Sequence, residues 1–254
     1  MSALFSIFVF IFGLIIGSFL NCLIWRLYKD ESLAGRSYCP QCRRTIAWYD
    51  NIPLLSFFLL QGRCRHCREK ISWQYPLVEL MTAILFLLTF QADSFNSQFS
   101  WLLLRDWFLI ITLVIVFVYD LRWQFVPVKV IWLMGALIWI LNIILGVSWI
   151  TTLSFAALGA IFFCFQYFLT KKKGVGEGDI WLGAFLGAAY PSAGLLLLIM
   201  VLSYGLGSII SLILVLRTKK NWKSRIALGP FLASGAIITL IWGEKIITWY
   251  LGLF

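Results

Sequence analysis

Histidine is nearly absent: the chain of 254 residues carries one, His66. A hydrolase built on a Ser-His or Cys-His pair needs a histidine as its base, and this one sits inside a cysteine motif, so that chemistry is disfavoured. Charge is also scarce, at 13% of residues, and one sign dominates: 21 Lys and Arg against 11 Asp and Glu, for a formal net charge of +10. With 61% hydrophobic residues and a mean hydropathy of +0.91, there is little surface for a large water-soluble domain. The composition describes an all-α integral membrane protein in a lipid bilayer. Nucleotide motifs are incomplete. Gly174-Val175-Gly176 lacks the third glycine of a dinucleotide fingerprint, and Lys171 to Lys173 complete no phosphate loop. No nucleic-acid partner is expected either, because retention of Lys and Arg on the cytoplasmic side explains the basic excess. Trp101, Trp107, Trp149 and Trp249 stand at the ends of apolar runs, as an interfacial belt would place them.

Apolar spans are expected at about 3–23, 77–91, 101–119, 130–147, 149–169, 180–194, 195–216 and 226–243, which makes eight. The run 3–23 is read as a retained first helix, since Met1-Ser2-Ala3 lacks a basic n-region and no small-x-small cleavage site follows. With the N-terminus outside, the inward segments 24–76, 120–129, 170–179 and 217–225 hold 9, 2, 3 and 5 Lys/Arg, or 19 of the 21. The opposite orientation would strand nearly all positive charge outside. The organisation expected is a first helix (1–23), a small cytoplasmic module (24–76) and a seven-helix membrane domain (77–254).

The module contains Cys39-Pro40-Gln41-Cys42 and Cys64-Arg65-His66-Cys67, two C-x2-C knuckles with 21 residues between the inner cysteines. Four thiolates at this spacing suit one structural, tetrahedral zinc with no position left for a catalytic water. Two disulfides or four unrelated thiols are the alternatives, and a reducing cytoplasm disfavours the former. Cys22 and Cys164 fall in apolar runs and are read as packing residues.

Two carboxylates stand out. Asp179 follows Lys171-Lys172-Lys173-Gly174-Val175-Gly176-Glu177-Gly178 and opens a new apolar run; Asp120 closes the run that begins at Trp107. Two crossings separate them, so both are expected at the same membrane face. A carboxylate so placed is costly and suggests function, although Asp179 is also a plausible helix cap. Close carboxylates titrate at separated pH values, leaving one as base and one as acid, the arrangement that aspartic proteases use on water and a peptide carbonyl. Gly176 and Gly178 would let the backbone bend and approach another segment closely. Glu79, just inside the second span after Tyr75-Pro76-Leu77-Val78, is a third candidate.

These residues carry a family resemblance. Gly17-Ser18-Phe19-Leu20-Asn21 with Arg26-Leu27, the two cysteine pairs, Asp50-Asn51-Ile52-Pro53, Gly62-Arg63-Cys64, Tyr75 to Leu80, Asp120 with Pro127, Gly176-x-Gly178-Asp179 and Gly229-Pro230-Phe231-Leu232 occur in an order that resembles the type IV prepilin peptidases. Those enzymes are bifunctional leader peptidases and N-methyltransferases of the bacterial inner membrane. The resemblance implies that Asp120 and Asp179 are the catalytic aspartates of a GxGD protease, and that pilin-like or pseudopilin precursors are the substrates. It also implies S-adenosylmethionine as methyl donor at a site that spacing does not reveal, with Glu79 a candidate contact for substrate or methyl transfer. Three positions depart from the family pattern: Val128 where Asp is usual, Trp181 where Lys is usual, and Ala227-Leu228 before the late Gly-Pro. Readings from other classes are a multipass proton- or cation-coupled transporter using the same two aspartates, and a zinc-module scaffold without chemistry.

Overall fold

The computed structural model describes residues 3–93, 100–172, 174–218 and 227–253. Lys173 and residues 219–225 of the expected basic segment 217–225 lie outside the described residues. Long runs of Leu, Ile, Phe and Val form helices because a helix satisfies its own backbone where no water can. Among the described residues there is no strand, and the chain divides into two compact units, Met1–Gln98 and Phe99–Phe254.

In the first unit, α1 (Ala3–Lys29) packs along α3 (Gln74–Asp93), with a single 3-10 turn at Trp48–Asn51 and a short α2 (Leu55–Leu59) between them in sequence. The packing is backbone to backbone. A Cβ added at Gly13 or Gly17 would lie 2.6 Å from the Cα of Ala83 or Glu79. Small residues of this kind are what membrane helices use to approach closely.

The second unit comprises α4 (Trp101–Trp123), α5 (Val128–Ile144), α6 (Trp149–Leu169), α7 (Glu177–Ala189), α8 (Ala193–Thr218) and α9 (Gly229–Leu251). Each helix contributes a fully buried side chain to one core: Leu113, Ile138, Phe163, Leu186, Ile199 and Leu232 in chain order. The tightest seam joins α6 to α7, where a Cβ at Gly159 would sit 2.1 Å from the Gly183 carbonyl oxygen and one at Gly187 would sit 2.0 Å from that of Phe155.

Helices stand at all eight positions where spans were expected, but they are not equivalent. Six are long and apolar enough to cross a membrane: α1, α3, α4, α6, α8 and α9. Helix α5 has 17 residues, and α7 has 13, or about 20 Å at 1.5 Å per residue, against a hydrocarbon core of about 30 Å. Helix α7 ends at Ala189 because Tyr190 turns inward, donating its hydroxyl to the Ala236 carbonyl at 2.7 Å, and Pro191 follows. Helix α4 runs past the expected boundary at 119 to Trp123, so Asp120 lies within its last turn.

Candidate functional site

Both aspartates are buried, Asp120 at 4% exposure and Asp179 at 7%. Helix α4 closes on Gln124, whose left-handed backbone (φ 53°) returns its N–H to the Asp120 carbonyl at 2.8 Å and throws the chain aside at once. The chain after that turn brings Val126 against the first turn of α7. There Gly178 is required sterically: a Cβ would come 2.6 Å from that of Val126. Gly176 is the N-cap of α7, and its N–H donates to Asp179 Oδ2 at 2.9 Å. That contact is one half of a capping box; glycine has no side chain to supply the other. The capping reading of Asp179 is therefore correct as far as it goes, and the same bond fixes where the carboxyl points.

Asp120 is oriented by a group distant in sequence. The N–H of Gly229, at the start of α9, donates to Asp120 Oδ2 at 2.7 Å. A Cβ at Gly229 would be 2.6 Å from that oxygen. The contact of Val126 with Gly178 brings the chain just after Asp120 against the residue just before Asp179, so the two carboxyls belong to one end of the same helix cluster. Glu177, beside the motif, accepts from the Tyr167 hydroxyl at 2.7 Å, a contact to α6 rather than to the pair. Trp181 packs edge-on against Trp132 of α5 with ring centroids 4.9 Å apart, and Val128 opens α5; the amide bonds to the two carboxyls come from Gly229 and Gly176, not from these positions.

In the first unit the Sγ atoms of Cys39, Cys42, Cys64 and Cys67 all lie within 4.8 Å of one another, with Cys39 and Cys67 at 3.8 Å. Four sulfurs around a zinc at ~2.3 Å stand about 3.8 Å apart along a tetrahedral edge, so the residues fit that metal. Each knuckle has the same backbone plan. The Arg43 N–H returns to the Cys39 carbonyl and that of Arg68 to Cys64, both at left-handed φ (56° and 59°), and a single antiparallel bridge closes each turn, Tyr38 to Thr45 and Arg63 to Lys70. Burial opposes ionisation of Cys64, yet the amides of Cys67 and His66 and the neighbouring thiols bring it down to about 7, favouring the thiolate a metal requires. Asp50 is held below the usual carboxylate range by the Arg65 guanidinium, which grips it through Nε and Nη2 at 2.8 and 2.6 Å.

Glu79 is buried and accepts from the Leu54 N–H at 2.8 Å. Nearby, Asn21 donates to the Tyr75 carbonyl and accepts from Gln74. Arg26 belongs to the same unit and is buried; its guanidinium donates to the carbonyls of Ser32, Leu33, Ala34, Gly35 and Arg36, so the loop after α1 is wrapped around one cation.

A polytopic helical protein with two buried, amide-held carboxyls at helix ends and a separate four-thiol module has the layout of a paired-aspartate membrane hydrolase. Residues 11–92 match the family model described as Bacterial Peptidase A24 N-terminal domain, and residues 107–215 match the Type IV leader peptidase family. The chain belongs to the type IV leader peptidase family. It is similar to proteins named prepilin leader peptidase/N-methyltransferase: 33% identical in Aeromonas hydrophila over 97% of this chain and 93% of the relative, and 32% in Legionella pneumophila over 95% and 93%. The Bacillus subtilis relative is 32% identical over 96% of both. No solved structure matches.

Proposed function

We propose that this chain is a membrane aspartic endopeptidase that removes the short basic leader of type IV pilin-like or pseudopilin precursors and methylates the new N-terminus. The observation that carries the reading is the pair itself: Asp120 and Asp179, both buried, each oriented by a glycine N–H, on segments that meet where Val126 packs on Gly178. At such a pair one ionised carboxylate takes a proton from water while the protonated partner hydrogen-bonds the scissile carbonyl, and the proton returns to the leaving amine. The Gly229 and Gly176 amides fix one oxygen of each carboxyl and leave the geometry preorganised.

A substrate with a long apolar segment lies among the helices and presents its cleavage point at the cytoplasmic face. That orientation, in a bacterial inner membrane, follows from 19 of 21 Lys/Arg on the inward segments. In this reading α5 and α7 complete eight membrane helices, and residues 24–76 form a cytoplasmic zinc module held by Cys39, Cys42, Cys64 and Cys67. Zinc there supplies folding free energy, since four thiolates leave no open coordination position. S-adenosylmethionine is the donor that an N-methyltransferase uses, and the amine released by cleavage is its acceptor.

Asp120→Asn and Asp179→Asn test the reading with a co-expressed precursor. Each should abolish shortening of the precursor while membrane insertion and zinc content stay unchanged. Glu177→Gln keeps an acceptor for Tyr167 and should cleave normally. Cleavage by Asp120→Asn at near the parental rate would remove the dyad assignment. A proton- or cation-coupled transporter would instead move solute and leave the precursor intact, a reading the family membership does not favour.

A further inference from the structure

The first unit exposes a concentrated apolar surface that neither the carboxyl pair nor the four-thiol cluster uses. On α2, Phe57 faces inward against Trp73, with ring centroids 4.9 Å apart, while its neighbours point away: Leu55, Phe58 at 62% exposure and Leu59 at 73%. Trp73 itself is 63% exposed and Ile52 lies at the start of the same segment. For a loop in water this would be an unusual density of bare Leu, Phe and Trp.

Leu54, the residue before α2, has its N–H bonded at 2.8 Å to Glu79, and Glu79 lies inside α3, a helix long and apolar enough to cross a membrane. A Cβ at Gly17 of α1 would lie 2.6 Å from the Glu79 Cα, so Glu79 stands level with Gly17. Gly17 precedes Arg26, the first charged residue of α1, by 9 positions, or about 14 Å along a helix axis. Leu54 is thus tied to a point below the level where charge begins on α1, and the chain turns tightly there at a positive φ (59°), with the Leu55 N–H returning to the Pro53 carbonyl at 2.6 Å. The chain then runs through α2 to Gly62 and Arg63. Between Cys39 and Lys70, six Lys/Arg stand against two acidic residues, a sign that complements anionic headgroups.

We propose that Ile52–Leu60, with Trp73, is a re-entrant anchor seated in the interfacial region of an anionic phospholipid bilayer, holding the four-thiol cluster at a fixed height over the membrane. The inference rests on α3 as a membrane span and is independent of the catalytic assignment. Backbone polar groups at that depth are served locally, as they must be: the Ser56 N–H by the Ile52 carbonyl, that of Phe58 by Leu54, and that of Leu60 by Ser56. Leu55, Phe58 and Leu59 meet acyl chains, and Arg63 is left at headgroup level.

Site-directed spin labelling tests this without reference to cleavage. In a Cys22→Ala, Cys164→Ala chain with its zinc content verified, a nitroxide at Leu59→Cys is compared with one at Glu69→Cys in phosphatidylethanolamine/phosphatidylglycerol vesicles. The ratio of collisions with lipid-dissolved oxygen to those with a water-soluble nickel chelate should be several-fold higher at 59. Equal ratios would overturn the proposal, as would low collision with both reagents at 59, which would signal cover by protein such as a second copy. The unlabelled parental chain provides a second measurement: hydroxyl-radical footprinting in the same vesicles should spare Phe58 and Trp73 and oxidise exposed His66. Oxidation of Phe58 and Trp73 as fast as His66 would refute the anchor even if the labelled variants failed to fold.

Discussion

Gly229→Ala offers a sharper test of the carboxyl pair than removing a carboxyl does, because it leaves both aspartates in place and disturbs only how one is held. The new Cβ would stand 2.6 Å from Asp120 Oδ2 and 3.1 Å from its Cβ and Cγ, closer than real atoms approach. Either the carboxyl rotates away or α9 shifts, and in both cases the 2.7 Å bond from the Gly229 N–H is lost or lengthened. A hydrogen bond to a charged group contributes about 1.5–3 kcal/mol. If that amount is missing from the transition state, at 1.36 kcal/mol per tenfold, leader cleavage should slow by roughly 10- to 150-fold. Helix propensity opposes any simple destabilisation, since Ala is the better helix former by about 1 kcal/mol. Gly205→Ala is the control: a Cβ there meets nothing within 4 Å. The assay is the initial rate of precursor shortening in membranes, normalised to the amount of inserted enzyme. Parental rates in Gly229→Ala, or an equal loss in Gly205→Ala, would mean that the Gly229 amide does not orient a catalytic carboxyl.

Gly178→Ala should likewise cut the rate while retaining expression, because its Cβ meets that of Val126 at 2.6 Å, and overpacking of this kind costs about 1–3 kcal/mol; Val126→Gly in the same chain should restore part of the loss, and no restoration would argue against the contact. Purified, reduced protein should contain about one zinc per chain by the four-thiolate stoichiometry, and Cys64→Ser should lose it. Retained metal in that variant would exclude Cys64 as a ligand. Zinc uptake should weaken as pH falls, because the thiols of the cluster take up protons that compete with the metal. Arg26→Gln gives up most of five carbonyl contacts and should destabilise the loop at 32–36 by about 2–4 kcal/mol, read as faster tryptic cleavage after Arg36. Unchanged cleavage would show that the cage does not hold the loop.

The cysteines were legible because a metal knuckle is local: two thiols three residues apart need only a tight turn between them, and the sequence writes that turn out. The helices were legible from apolar run length, although α4 extends beyond its expected end because Leu121, Arg122 and Trp123 continue the helix before Gln124 stops it. The aspartates stood out as carboxylates at the ends of apolar runs, yet what orients them could not be read. Gly229 lies 109 residues from Asp120, and a Gly-Pro pair at a helix start announces a helix N-terminus without naming the carboxyl its N–H will meet. Arg26 was hidden for a related reason. A basic residue at the end of an apolar run usually marks the lipid interface, and nothing in the run Ser32 to Arg36 shows that its carbonyls will fold back on it. Glu79 was singled out as an unusual carboxylate; the partner it serves, the Leu54 N–H, lies 25 residues earlier in sequence.

The seam between α6 and α7 has a mechanical consequence. With carbonyl oxygens where side chains would ordinarily stand, at Gly159 against Gly183 and Phe155 against Gly187, the two helices cannot slide or roll past each other without collision. Asp179 therefore travels with α6, and Asp120, bonded to the first residue of α9, travels with α9. The spacing between the carboxyls is thus tied to how α6 and α9 sit in the core they share, with Val126 resting on Gly178 between the two sites. A side chain added at the seam, as in Gly159→Ala, should therefore be felt at the carboxyl pair although the seam lies outside it.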